Sequence, residues 1–386
     1  MNPHYNDEST YRAKMDFSSR LKTNIIKITL TLRAMFTRIA QTVLFRKYNN
    51  PKTILVHRIG TFGDSIVALP AVASIKSAFP NAKIDFLTTY ATPINLSTII
   101  ENGYFDNIYL IDKKNRQNEL KKLKHHKYDL FIDIPQKYGL YKNLRNMLLA
   151  RFFLGIPSAF GWDSGMTKLF AKTQMEFMPP KREIDRFLDM LAQNGITPKL
   201  EFPIKIESND VLDEFVKTHS KDKMIAFCIG TNVSANEWVI ENWINLAKPF
   251  IDAGYKIALI GGEQEKSKGE QISKNSENIL DFCGKLSISQ SAYLLKNCNL
   301  AICHDTGAMH LSYAVGTKTI AVMSSRQFYT KWAPPQNLGV VIQKTLECSG
   351  CFMSQCPINH ECMTNIFTEE VFKTAISIIS SSPNAL

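Results

Sequence analysis

From Leu21 to Leu44 the apolar residues Ile25, Ile28, Leu32, Met35, Phe36, Ile39 and Val43 return every three or four positions, the period of an α-helix with one apolar stripe. Lys27, Arg33 and Arg38 interrupt the run. It therefore predicts a helix lying in a membrane interface or docked on its own protein, and not a spanning segment, which needs about 20 mostly apolar residues. Past Asn49-Asn50-Pro51 the pattern changes to short β-rich runs, at 53–57, 84–88, 108–111 and 128–134, separated by amphipathic stretches. After a polar, weakly periodic join at 198–222 the alternation resumes at 224–229, 256–260, 279–282, 300–303, 319–323 and 340–342. This alternation predicts βαβ units and an α/β fold of two Rossmann-like doubly wound domains, with ligands at the C-terminal ends of the strands. The expected organisation is a basic amphipathic extension over 1–50, a first domain over 51–205 and a second over 206–386.

Composition narrows the class. The 386 residues exceed what one core usually holds, and 45% hydrophobic with 21% charged residues is a soluble globular composition. The net charge of +11 is uneven: residues 1–50 carry nine Lys/Arg against three acids, so about +6 of it sits there. A basic, locally apolar N-terminus points to an anionic membrane surface ahead of nucleic acid, for which the charge is the only argument. With no cleavable signal at the start, a cytosolic, reducing location is expected, peripheral to the inner membrane. Cys228, Cys283, Cys298 and Cys303 stand singly in apolar segments and read as small buried hydrophobes.

Three strand-to-helix turns carry candidate chemistry. In His57-Arg58-Ile59-Gly60-Thr61-Phe62-Gly63-Asp64, the two glycines permit a sharp turn, and Asp64 opens the next helix as either an N-cap or a catalytic base. Gly-x-Gly-x-x-Gly is absent, which excludes the dinucleotide fingerprint. In His304-Asp305-Thr306-Gly307-Ala308-Met309-His310, a helix start offers backbone N–H groups and a hydroxyl that can hold a diphosphate without a metal. His310 either faces that phosphate or is a satisfied core histidine, and Asp305 or Thr306 is open to reading as a plain N-cap. The third turn runs Gly230-Thr231-Asn232-Val233-Ser234-Ala235-Asn236-Glu237-Trp238, with Gly261-Gly262-Glu263 closing the next strand, where a carboxylate can accept hydrogen bonds from a ribose.

The strings ILVHRIGTFGDSIVALPAVASIKSAFPNAKIDFL and AICHDTGAMHLSYAVGTKTIAV resemble the two hallmark segments of the lipopolysaccharide heptosyltransferases, glycosyltransferase family nine, over roughly residues 52–380. The resemblance implies the GT-B architecture, with two domains facing across a crevice, and inverting transfer of heptose from ADP-heptose to a lipopolysaccharide core, with no metal or other cofactor required. It matches Asp64 to the general base, with Arg58, Thr61 and Gly63 on the acceptor side. It matches Thr231, Asn232 and Asn236 to donor contacts, Glu263 to the ribose carboxylate, and Asp305, Thr306, Gly307 and His310 to the turn that neutralises the leaving diphosphate. One position departs: the family lysine two residues before the tryptophan is Asn236, so the charge must come from Arg58, Arg326 or another cation. A catalytically weak or inactive nucleotide- or glycan-binding protein on the same fold is the alternative that this departure motivates.

Two features lie outside the resemblance. Cys348, Cys351, Cys356 and Cys362 have spacing suited to a structural zinc or iron–sulfur cluster, or else are free thiols in a local staple. The basic stretch 113–127 is a solvated helix face or a surface that meets phosphorylated lipid.

Overall fold

The computed structural model describes residues 17–89, 99–111, 116–135, 140–162, 181–219, 223–327, 329–346 and 348–381. The chain divides into two compact units, Met1–Pro203 and Ile204–Leu386.

In the first unit, helix α1 (Phe17–Leu44) precedes β1 (Thr53–His57), α2 (Phe62–Ala78), β2 (Lys83–Thr89) and β3 (Asn107–Ile111). There follow α3 (Arg116–His125), β4 (Leu130–Asp133), α4 (Leu140–Leu148) running into a π-helical turn at Leu149–Phe153, β5 (Ser158–Phe160) and α5 (Glu183–Gln193). The five strands form a parallel sheet in the order β3-β2-β1-β4-β5. Parallel strands covered on both faces read as unbroken apolar runs, and β1 and β4 are buried along nearly their whole length. Strand β5 lies outside the predicted runs: its three residues begin with a serine and follow Gly155-Ile156-Pro157, so no apolar run marks it. The basic stretch becomes α3, which buries Leu120 and Leu123 and leaves Lys121, Lys122 and Lys124 exposed; residues 113–115 lie outside the described residues.

The second unit runs α6 (Asp210–Thr218), β6 (Lys223–Cys228), α7 (Ile240–Asp252), β7 (Tyr255–Ile260), α8 (Lys266–Ser273), β8 (Ile279–Asp281), α9 (Ile288–Lys296) and β9 (Leu300–His304). It continues with α10 (Gly307–Ala314), β10 (Thr319–Val322), α11 (Tyr329–Trp332), β11 (Gly339–Ile342), α12 (Glu361–Thr364) and α13 (Thr368–Ser380). Its parallel sheet has the order β11-β10-β9-β6-β7-β8. Trp238, Trp243, Phe227 and Phe250 interlock edge-to-face or tilted beneath α7, and α13 closes the core with Phe372 against Phe250.

Both sheets are therefore doubly wound, reversing strand order between β1 and β4 in one unit and between β6 and β9 in the other. Those reversals open the crevices where such folds bind ligands. Among the described residues no helix is long and apolar enough to cross a membrane.

Candidate active site

In the first unit the turn after β1 is built around Asp64. Its Oδ2 accepts hydrogen bonds from the Thr61 backbone N–H (2.7 Å) and the Thr61 hydroxyl (2.8 Å), which ties the carboxylate to the start of α2. Gly60 makes this possible, since a Cβ there would stand 2.4 Å from the Asp64 Cβ. The second oxygen, Oδ1, faces the Arg58 guanidinium at 3.9 Å. Thr61, not Asp64, is the N-cap of α2, and Asp64 at the third helical position forms the other half of a capping box; this contact and a base role can use different oxygens of the one carboxylate.

Arg58 is turned inward. It is 1% exposed, donates to the backbone carbonyls of Ile134 (3.1 Å) and Asp64 (3.2 Å), and stacks 4.8 Å over the Phe187 ring. The sequence placed it among the cations able to replace the missing lysine; the structure commits it to positioning Asp64. The Arg186 guanidinium lies 4.6 Å from the same ring and forms a buried two-pronged pair with Glu183. Beside them, His57 Nδ1 meets the fully buried Asp133 at 2.8 Å, a dyad at the crevice end of the sheet that the sequence did not single out.

In the second unit three turns meet at the β6/β9 reversal. The turn after β9 places Thr306 as N-cap of α10, and its hydroxyl is buried with no hydrogen-bond partner, at a helix end whose N–H groups favour anions. Asp305 beside it and Gly307, the first helical residue, are partly exposed. His310 is buried, bonded to the Tyr313 hydroxyl (2.7 Å) and set against Trp332. In the turn after β6, Thr231 bonds back to the Val233 backbone and Asn232 is exposed. Asn236 is buried, its side-chain oxygen accepting from the Ser324 hydroxyl at 2.5 Å, so position 236 holds a neutral amide.

After β7 the two glutamates differ. Glu263 is 73% exposed and pairs with Lys266, whereas Glu265 is buried and accepts from the Gly262 N–H at 2.9 Å. Gly230 and Gly261 leave room for Glu265, since a Cβ on either would come within 3.1 Å of it. The spacing of Gly262 and Glu265, three apart before a helix, was the sequence signal for this capping contact.

His304 joins these turns. Wholly buried, it accepts the Trp238 backbone N–H at Nε2 (2.9 Å), and its Nδ1 lies 3.4 Å from the Gly230 carbonyl. Burial lowers its pKa to about 4, so the imidazole is neutral at pH 7, and the two partners define a proton on Nδ1. The sequence reading gave this histidine no role.

The cysteine segment docks on the same turns. Ala235 N–H and the Ser234 hydroxyl donate to the Ser354 carbonyl, His360 bonds the Ala235 carbonyl at 2.9 Å, and Arg326 donates to the carbonyls of Phe352 and Met353. Arg326, the other cation considered for the missing lysine, is spent on this segment. All four cysteines are free thiols, Cys348 and Cys351 exposed and Cys362 buried. Among the described residues no three His, Cys, Asp or Glu side chains are gathered as metal ligands, and the contacts that fasten the segment are hydrogen bonds to backbone carbonyls.

The comparisons agree with this geometry. The family model described as glycosyltransferase family 9 (heptosyltransferase) matches residues 117–361. Lipooligosaccharide heptosyltransferase 2 of Campylobacter jejuni is 23% identical over 346 residues, covering 85% of this chain and 99% of the relative. Lipopolysaccharide heptosyltransferase 2 of Escherichia coli is 24% identical over 294 residues, covering 70% and 82%. Among solved structures, a family 9 glycosyl transferase from Veillonella parvula superposes with a TM-score of 0.67 at 20% identity, over 88% of this chain and all of that one. The Escherichia coli ADP-heptose lps heptosyltransferase II gives 0.62 at 19% identity, over 85% and 98%. The fold is the GT-B fold of these enzymes, and the chain belongs to glycosyltransferase family 9, the heptosyltransferase family.

Proposed function

We propose that this glycosyltransferase moves a heptose or related sugar from ADP-heptose or a similar nucleotide sugar to a lipopolysaccharide or other cell-surface glycan acceptor, inverting the anomeric centre without a metal. The observation that carries the reading is Asp64, a buried carboxylate fixed through one oxygen at the crevice end of β1. In the proposed step Asp64 takes the proton of an acceptor hydroxyl as its oxygen attacks the anomeric carbon. The bond to the nucleoside diphosphate breaks, and the leaving charge falls on the α10 N-terminus and the Thr306 hydroxyl. The first unit binds the acceptor, with Thr61 and Gly63 shaping the turn, and the second binds the donor through the Thr231, Asp305 and Gly307 turns. The relatives named for lipopolysaccharide and lipooligosaccharide support this acceptor class, and a family structure bound to ADP-2-deoxy-2-fluoro heptose supports the donor. Such an acceptor places the enzyme in the cytoplasm at the inner-membrane surface, with the N-terminal helix as the contact.

A thermal-shift series with ADP-, GDP-, UDP- and CMP-linked sugars tests the donor. At a hundred times its dissociation constant the true donor stabilises by about 2.7 kcal/mol. Transfer to a core acceptor with inversion at the new bond is then the expected product; retention of configuration defeats the single-displacement mechanism. The second reading, a weak or inactive binder, is favoured by the neutral, engaged Asn236 and gains ground if a nucleotide sugar stabilises the protein yet no acceptor receives sugar.

A further inference from the structure

Helix α1 turns one face to the protein and leaves an apolar stripe on the other. The first, through Leu30, Ala34, Thr37, Gln41 and Leu44, is buried or half-buried and packs on α4. The other, roughly opposite at 3.6 residues per turn, carries Ile25, Ile28, Leu32, Met35, Ile39 and Val43, all more than half exposed. Phe36 adjoins it, half exposed. Monomeric soluble proteins rarely leave a contiguous apolar stripe of this size in water. The helix beneath repeats the feature: Tyr141 and Leu148 on α4 and Phe152 on the following π-helical turn are 78%, 48% and 70% exposed.

Charge identifies what covers them. Residues 17–49 contain Arg20, Lys22, Lys27, Arg33, Arg38, Arg46 and Lys47 and no acid; residues 140–156 contain Lys142, Arg145 and Arg151 and no acid. An apolar stripe flanked only by cations matches the interface of an anionic bilayer, where apolar side chains enter the acyl boundary and Lys/Arg meet the headgroups. A second copy would set this cationic face against itself, which like-charge repulsion opposes.

We infer that α1 and the α4/π-helical turn together form a bilayer-docking platform on the first unit, specific for anionic lipid. The inference deepens the glycolipid-acceptor reading and rests on it for its purpose, but docking is measurable without any sugar transfer.

The test is co-sedimentation of the full chain with vesicles of phosphatidylcholine alone and of phosphatidylcholine mixed with phosphatidylglycerol, at about 0.1 M salt. Wild type is expected to sediment with the mixed vesicles and far less with the neutral ones. Ile28→Ser/Leu32→Ser/Ile39→Ser and, separately, Phe152→Ser should weaken binding, the triple variant by about tenfold or more, with melting temperatures unchanged because these side chains are exposed. Arg33→Glu/Lys142→Glu should remove the preference for anionic lipid. Wild type left in the supernatant with both vesicles, or a triple variant that binds as wild type does, overturns the platform. So does a dimer of the free protein, seen by analytical ultracentrifugation, that the same substitutions dissociate. Sugar transfer to a delipidated acceptor tests the enzymatic reading apart from this result.

Discussion

Replacing Asp64 by asparagine and, separately, by alanine distinguishes the two roles of its carboxylate. Asparagine keeps an oxygen able to accept from the Thr61 N–H and hydroxyl, so the start of α2 stays capped, but it cannot take a proton. It also removes the anion 3.9 Å from Arg58. At that distance and an effective dielectric constant of about 20, the attraction is about 4 kcal/mol. Most of it is offset by the desolvation of both ions, and Arg58 keeps two carbonyl acceptors and the Phe187 ring, so the net loss should be about 1–2 kcal/mol. Alanine forfeits the cap as well, about 1 kcal/mol more. For a unit of this size the melting temperature should fall by about 3–6 °C for asparagine and by a further 2–4 °C for alanine, read by calorimetry. Turnover should behave otherwise: both variants should lose about 10²–10⁴-fold in kcat for transfer while nucleotide-sugar binding, proposed above for the other unit, is unchanged. An asparagine variant that keeps a third or more of wild-type kcat, with only alanine impaired, refutes the base assignment and leaves Asp64 its place in the capping box.

Thr306→Val removes a hydroxyl that has no partner within the protein, so stability should hold or rise slightly while donor affinity drops about three- to tenfold by titration calorimetry; unchanged affinity excludes the hydroxyl from the donor site. His304 links stability to pH. Its folded pKa of about 4 lies below the ordinary 6.5, so the unfolded chain binds the extra proton and stability falls as pH drops from about 6.5 to 4, by up to about 3 kcal/mol. His304→Gln should flatten that part of the melting profile, and an equal slope in the variant assigns it to other groups. Asn236→Lys should destabilise the free protein by about 1–3 kcal/mol, since it buries an ammonium and breaks the Ser324 bond, and the loss should be largely recovered on adding the nucleotide donor. A variant equally stable with and without donor indicates that position 236 does not face the phosphates.

Strand positions were legible because parallel strands buried on both faces are unbroken apolar runs, and ten of them were placed within two residues of their ends. Among the described strands Ser158–Phe160 was missed, since no apolar run announces it. The turns were legible for a different reason: glycines and short polar residues directly after such runs mark the crevice ends. What the sequence hid was partnership. Spacing could mark Glu265 as a cap, but nothing in the string shows that it is buried under two glycines while Glu263 stays at the surface. Nor does spacing reveal that Arg58 and Arg326 are consumed by backbone carbonyls, or that His57 meets Asp133 across 76 positions. Cysteine spacing left a metal site and free thiols both open, and spacing alone does not show whether ligands gather; among the described residues no metal-ligand group of three does.

His304 also bears on how this enzyme can be re-engineered. The turns after β6 and β9 share one imidazole, and the cysteine segment fastens to the outer side of the first of them. These turns are therefore not interchangeable cassettes. Exchanging the β9 turn for one without His304 leaves the buried Trp238 N–H without its acceptor, and moving the β6 turn disturbs the seat of the cysteine segment, so residues 230–238, 304–310 and 348–362 have to be moved as a set.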